Sequence, residues 1–234
     1  MSDRGQSNVV GVALLLGVTV VALAALTASV GTVVDQHAAA SDSRRVAADL
    51  DSAIDAIETT GVHREDVSFT RGHLDVVPRQ VRVLDSGGVV AEVDANALRF
   101  TSGDRGATYL AGSVMAHGSG WSRTRSRLPI AADPDVLVVS VPALRGDVGV
   151  SANGGATYTL RTNVTHHRRA LGDAGYRVAV ETEHVDALRR QFEETGATVS
   201  IRDIDGDGVP SVVAEYSGVR TAYLVVHETE VAVL

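Results

Sequence analysis

Hydrophobic and polar positions fall into three successive textures along this chain. From Gly5 to Val34 no residue is charged, and Val9 to Val34 is almost continuously apolar. Those 26 residues exceed the ~20 that a helix needs to cross a hydrocarbon core. At ~1.5 Å per residue they reach about 39 Å. A helix apolar on every side belongs in lipid or in a large core, so membrane insertion is expected here. The second texture is one-sided. Val46, Leu50, Ile54 and Ile57 recur at spacings of four, four and three, with Asp49, Asp51, Asp55 and Glu58 largely elsewhere. That is the stripe of an amphipathic helix, and Gly61 follows its last apolar turn where a C-terminal cap belongs. No Pro or Gly interrupts Thr32–Thr60. The pattern predicts one helix from about Asn8 to Thr60, roughly 80 Å long at the standard rise.

After Gly61 short apolar runs are split by Gly, Asp, Ser and Pro. Expected strands are VSFT, QVRVLD, VVAEV, ALRFT, DVLVVSVPAL, ATYTLRT, YRVAVET, ATVSIRD, SVVAEY, TAYLVVHE and VAVL, with Ser86–Gly88 as a hairpin turn. Many short strands at this spacing suggest an antiparallel sandwich or curled sheet. One helix interrupts them in TEHVDALRRQFEETG, with Val185, Leu188 and Phe192 on one face and Gly196 as its stop. The expected fold class is therefore α+β: a long N-terminal membrane-spanning helix, then a β-rich, mainly antiparallel globular head with one packed helix. The helix takes residues 6–60 and the head 61–234, with a sub-boundary near 172.

Composition narrows the function classes. With no cysteine among 234 residues, a disulfide framework and a thiolate zinc site are both excluded. Net charge is −8, and all 21 basic residues are Arg. Non-specific nucleic-acid binding runs on basic surfaces, so no nucleic-acid partner is expected. Acidic, Lys-free, Ala/Val/Gly-rich composition looks like that of proteins from salt-loving archaea; a GC-rich genome of another kind gives a similar bias.

Three kinds of segment begin with an apolar run. A secretory signal has about 7–15 apolar residues before a small-residue cleavage site, and this run is longer. A plain anchor is the second kind. Arg4 precedes the run and Asp35 follows it, with Arg44 and Arg45 further along, which leans toward a cytoplasmic N-terminus and an external head. The order of residues before the run fits a third kind. Arg4-Gly5-Gln6-Ser7 resembles the processing site of archaeal type IV prepilins, and SNVVGVALLLG resembles the opening of halophile pilins, with Asn8 where a Pro is common. This resemblance implies a leader of residues 1–5 cut between Gly5 and Gln6 by a prepilin peptidase. It also implies a helix that stays in the membrane and then packs against copies of itself or other pilin-like subunits. Small residues at four-residue spacing, such as Ala13 with Gly17 and Ala24 with Ala28, suit close helix approach. The segments YLAGSVMAHGSGWSRTRSRLPI and YRVAVET to FEETG likewise resemble the heads of pilin-like surface proteins in halophiles.

Candidate chemistry in the head is sparse. Asp203, Asp205 and Asp207 with Gly208 fit the opening of a calcium loop, but the twelfth position is Ala214 and Glu215 falls one place late. The alternatives are calcium held in a hairpin and an Asp/Gly turn with no metal. Asn163-Val164-Thr165 is a glycosylation acceptor on an exported chain. His166 and His167 would sit on opposite faces of a strand, a poor arrangement for one metal. Arg123, Arg125 and Arg127 with Trp121 form a short basic patch, expected to pair with acidic neighbours. No catalytic motif occurs, so the expected product is a non-enzymatic, pilin-like membrane protein with an extracellular head. The rival expectation is a permanently anchored external binding domain that does not polymerise. A third, an exported hydrolase, has no motif behind it.

Overall fold

The computed structural model describes the backbone of residues 3–55 and 59–234, and side chains of residues 12–53 and 59–234. The fold is α+β, as the periodicities require. Helix α1 runs Asp3–Asp55 without a break, and its residues divide between two compact units, Met1–Ala38 and Ala39–Leu234. In the first unit the large side chains from Val12 to Val34 are 51–71% exposed. This helix is long and apolar enough to cross a membrane. Its three described threonine hydroxyls bond within the helix: Thr19, Thr27 and Thr32 donate to the carbonyls of Leu15, Leu23 and Ala28 at 2.6–3.0 Å. A hydroxyl bonded to its own helix enters lipid without an orphaned donor.

The second unit holds fourteen strands in two sheets. In chain order they are β1 (Gly61–Val77), β2 (Gln80–Asp85), β3 (Gly88–Asp94), β4 (Ala97–Ser102), β5 (Arg105–Leu110), β6 (Ser113–Gly118), β7 (Trp121–Thr124), β8 (Ile130–Ala132), β9 (Val136–Arg145), β10 (Gly149–Ala174), β11 (Arg177–Glu181), β12 (Thr198–Arg202), β13 (Ser211–Glu215) and β14 (Arg220–Val233). Helix α2 spans Val185–Glu194. The large sheet is ordered β7-β6-β5-β4-β1-β10-β14-β9-β8 and the small one β12-β13-β11-β2-β3. Neighbours are antiparallel except β14 and β9, which run parallel.

Because successive strand residues point to opposite faces, the large sheet builds two cores. On β14, Ala222 and Leu224 join the small sheet and α2, while Val231 lies in the other cluster, with α1. Val46, Ala47 and Leu50 of α1 pack there against Val67, Phe69, Leu74 and Phe100. Polar groups close the same interface. β1 bulges between Phe69 and Arg71 and is flanked by β4 only from His73 onward, so donors ahead of that point turn to α1. Asp49 Oδ2 accepts the Ser68 N–H and Asp42 Oδ2 the Arg71 N–H, both at 3.0 Å, and Ser43 donates to the Gly106 carbonyl at 2.7 Å. Asp49 was expected off the apolar stripe; it faces β1, where the Ser68 N–H takes it as acceptor. Ile54 and Ile57 lie outside the described side chains. The unit boundary falls at Ala38/Ala39 rather than at residue 60, since the docked half of α1 belongs with the sheets.

Pairing lengthens strands beyond their apolar runs. β1 carries VSFT in its middle but extends through polar VHRED and RGHLD, and β10 extends ATYTLRT in both directions. The segment Arg105–Thr124, assigned no strand from its periodicity, forms β5, β6 and β7. Its first turn uses Ala111 at φ 49° and Gly112 at φ 90°, a left-handed pair that Asn-Gly would have announced. Residue 172 falls inside β10, at a bulge between Ala170 and Gly172.

Asp42 is 2% exposed, so removing its acceptor strands a donor. Asp42→Ala should lower unfolding free energy by about 1–3 kcal/mol, and Leu50→Ala by about 2–5 kcal/mol. Arg44→Ala, on the exposed side, should change it little. Denaturant melts of the detergent-solubilised chain would measure all three.

Candidate functional site

The Asp203–Pro210 segment closes the β12–β13 hairpin, so the loop is entered from a strand and not from the helix of an EF-hand. Its backbone is held by its own carboxylates. Asp203 accepts the N–H groups of Gly206 at 2.8 Å and Gly208 at 3.2 Å, and Asp207 accepts that of Val209 at 2.7 Å. Asp203, Asp205 and Asp207 offer carboxylate oxygens within 4.8 Å of one another, all three exposed. Glu215 lies on β13, opposite Arg177 and Thr198.

Asp205 is also tied inward. Arg82 of β2, 4% exposed, meets Glu181 at 2.5 Å, Glu92 at 2.8 Å and Asp205 at 2.7 Å, and donates to Gln80 as well. Burial alone would lower the Arg82 guanidinium, but its hydrogen bonds to Glu92, Glu181 and Asp205 outweigh that and hold it above its usual value. Burial lifts the Glu181 carboxyl above the ordinary range against the pull of Arg82. Asp205 loses some solvation, but the Arg82 bond dominates and sets it below that range.

Histidines make two further clusters that the sequence did not reveal. His117 of β6 and His184, which caps α2, stack with centroids 4.1 Å apart. Both Nε2 atoms reach the Thr108 hydroxyl, at 3.2 and 3.1 Å. Gly106 makes room for the pair, since a Cβ there would lie 2.4 Å from His117. On the α1 face of the large sheet, His227 Nε2 sits 2.6 Å from Ser140 Oγ, and its Nδ1 sits 2.6 Å from His166 Nδ1. His166 and His167 do diverge as expected, and His167 lies 3.7 Å from Glu228. The unseen partner was His227, which is 61 residues from His166 in sequence and opposite it in register. Asn163 is half-buried in mid-β10, between Val62 and Glu230. Arg125 and Arg127 meet Asp51 and Glu194 at 2.8 and 3.1 Å. The side chains of Arg4 and Gln6 lie outside the described residues, as does the environment of Gly5.

The sequence profile of DUF7289, a family of unknown function, matches residues 4–232. The chain belongs to the DUF7289 family. No curated protein and no solved structure matches it. The match takes in the apolar helix together with both sheets of this DUF7289 protein, so helix and head are parts of one family unit.

Among these groups the stacked pair has the clearest chemistry. Burial lowers both imidazoles to about 4. For His117 the neighbouring His184 adds to that, and for His184 the nearby Arg79 and Arg99 do. Both rings are therefore neutral at pH 7, with Thr108 able to donate to one and accept from the other.

A folded-state value below the unfolded one, about 6.5, means that the unfolded chain binds more protons between the two. The stabilisation is fully present above about pH 6.5 and is lost as pH falls through about 4. In the DUF7289 chain the melting temperature should drop across that window, and His184→Gln should flatten the dependence. An unchanged slope in that variant would assign the acid sensitivity to other groups.

Proposed function

We propose that this DUF7289 protein is a type IV pilin-like subunit: its leader is removed after Gly5, its N-terminal helix holds it in the membrane, and the same helix assembles with other subunits into a surface filament or related complex. The observation that carries this reading is the two-part character of α1. Residues 12–34 are apolar and exposed on all sides, while Ala39, Asp42, Ser43, Val46, Ala47 and Leu50 are buried in the head's own unit. A mere tether needs no such docking. A subunit that passes from lipid into a fibre keeps its head fixed to the helix while the apolar half exchanges lipid for identical helices. Ala and Gly at four-residue spacing favour that close approach. On this reading the head is extracellular, the N-terminus is cytoplasmic, a prepilin peptidase is the processing partner, and the protein is not an enzyme. The Arg4-Gly5-Gln6 order supports the cleavage step.

Intact-mass analysis of protein extracted from membranes tests the proposal. The expected species begins at Gln6, and Gly5→Trp should leave the leader attached and abolish assembly. A chain that retains Arg4 in the wild type would make it a plain anchor instead.

The convergence of Asp203, Asp205 and Asp207 favours a second property compatible with either fate, a calcium ion held in the β12–β13 loop. Asp205 would then be shared between the ion and Arg82. Calcium at a hundred times its dissociation constant should stabilise the chain by about 2.7 kcal/mol, read as a rise in melting temperature. Asp203→Asn should abolish the rise, and magnesium should not reproduce it. No shift with calcium would leave the loop as a hairpin turn alone.

A further inference from the structure

The WSRTRSR segment, Trp121–Arg127, has a period of two that the structure resolves into two jobs. Ser122, Thr124 and Ser126 are the half-buried alternates, and hydrogen bonds hold Thr124 and Ser126 in place. Thr124 Oγ1 accepts from Gln191 Nε2 at 3.0 Å, Ser126 Oγ accepts the Val114 N–H at 2.8 Å, and the Ser126 carbonyl accepts from Ser113 at 2.8 Å. Trp121, Arg123, Arg125 and Arg127 are the exposed alternates. Arg190 of α2 joins them, fixed by its bond to the Ser122 carbonyl at 2.7 Å. The result is an extended stripe with one indole and four guanidiniums, built on a backbone that cannot easily shift.

Two clefts lie along this stripe, one of them against the indole. Arg123, Arg125, Arg127 and Arg190 line one of about 360 Å³ together with Glu194; Arg125 and Arg127 already meet Asp51 and Glu194, so the surplus positive charge rests on Arg123 and Arg190. His117, Glu183 and Asp186 line the other, of about 330 Å³, together with Trp121 itself. Trp121 is seated on bare backbone, since a Cβ on Gly118 would lie 2.6 Å from its Nε1. Its ring is 39% exposed, and Arg123 stands 6.0 Å from its centre. An aromatic face left open in this way, against a cleft lined by carboxylates and on the same stripe as a cationic one, is amphipathic in the same sense as a sugar ring.

We propose that this surface binds an acidic oligosaccharide: one ring lies on Trp121, its carboxylate or sulfate enters the arginine cleft, and hydroxyls of the adjoining ring donate to Glu183 and Asp186. Guanidiniums recognise planar or tetrahedral oxyanions through paired N–H groups. Glu183 and Asp186 are each hydrogen-bonded by one arginine, Arg79 at 2.5 Å and Arg189 at 3.0 Å, and their remaining lone pairs can accept from saccharide hydroxyls. Single-stranded nucleic acid fits less well. It calls for successive stacking platforms, where this stripe has one. The proposal is independent of polymerisation and holds for an anchored head as well.

Trp121 is the chain's single tryptophan, so its emission reports on this site alone. The full-length protein in detergent micelles would be titrated with a galacturonate hexasaccharide and a heparin-derived hexasaccharide, which separate carboxylate from sulfate as the anion. Neutral maltohexaose, inorganic sulfate and a single-stranded oligonucleotide complete the set. Saturable change with at least one acidic hexasaccharide, and none with maltohexaose, is expected. The double variant Arg123→Gln/Arg190→Gln should weaken binding about tenfold or more, and binding should weaken as salt rises. Arg127→Gln, at a side chain 80% exposed, cannot compromise the fold and should weaken binding several-fold. The proposal is overturned by a flat titration with both acidic sugars at millimolar ligand, by unchanged affinity in Arg127→Gln and the double variant, by inorganic sulfate binding as tightly as the sugars, or by tighter binding of the oligonucleotide.

Discussion

The arrangement of the head depends on a backbone that must find acceptors. β4 flanks β1 only from His73 onward, and before that point the Ser68 and Arg71 N–H groups turn to α1 for acceptors; a buried donor without a partner is costly. Asp42 and Asp49, two helical turns apart on α1, supply the acceptors. The carboxylates therefore fix the axial position of the helix, and Val46 and Ala47 between them, with Leu50 just beyond, fall onto Phe69, Leu74 and Phe100. Apolar packing alone would tolerate a helix slipped along its axis. Two hydrogen bonds at fixed spacing do not.

A second constraint joins the two sheets. The chain leaves the large sheet after β1 and returns to it at β4, and the two crossing points touch: Asn96 N–H donates to the Arg79 carbonyl at 2.9 Å. Asn96 occupies the left-handed region at φ 49°, and its side chain donates to the Leu144 carbonyl of β9 at 2.8 Å. Just inside this junction, Arg82 gathers Glu181, Glu92 and Asp205 around one buried charge. Buried ion groups of this kind add little net stability but penalise any register that separates them. Here they place the β12–β13 loop relative to β2.

Much of this architecture was legible in the residues. QVRVLD matches β2 end to end, and the Val185, Leu188 and Phe192 pattern located α2, because burial on one side leaves a clear period. The apolar span and the one-sided stripe of α1 were legible for the same reason. What escaped notice depended on partners distant in sequence. The polar ends of β1 and β10 are strands because each completes the other, and β5 to β7 turn through Ala111, an uncommon residue at a left-handed position. The Asp203, Asp205 and Asp207 cluster was readable because its ligands are local. The His117–His184 and Ser140–His227–His166 groups were not, since strand pairing alone brings them together, and no spacing rule connects residue 117 with 184.

The length of β10 has its own consequence. Its 26 residues serve β1 along one half and β14 along the other, and both neighbours are present together only at Leu160–Val164. A molecule laced this way has a short shared seam between its first strand and its last. That seam is where Thr229–Val233, the end of β14, pair with Leu160–Val164, so fraying from the carboxyl end opens it first and bares the one stretch of β10 that all three strands share.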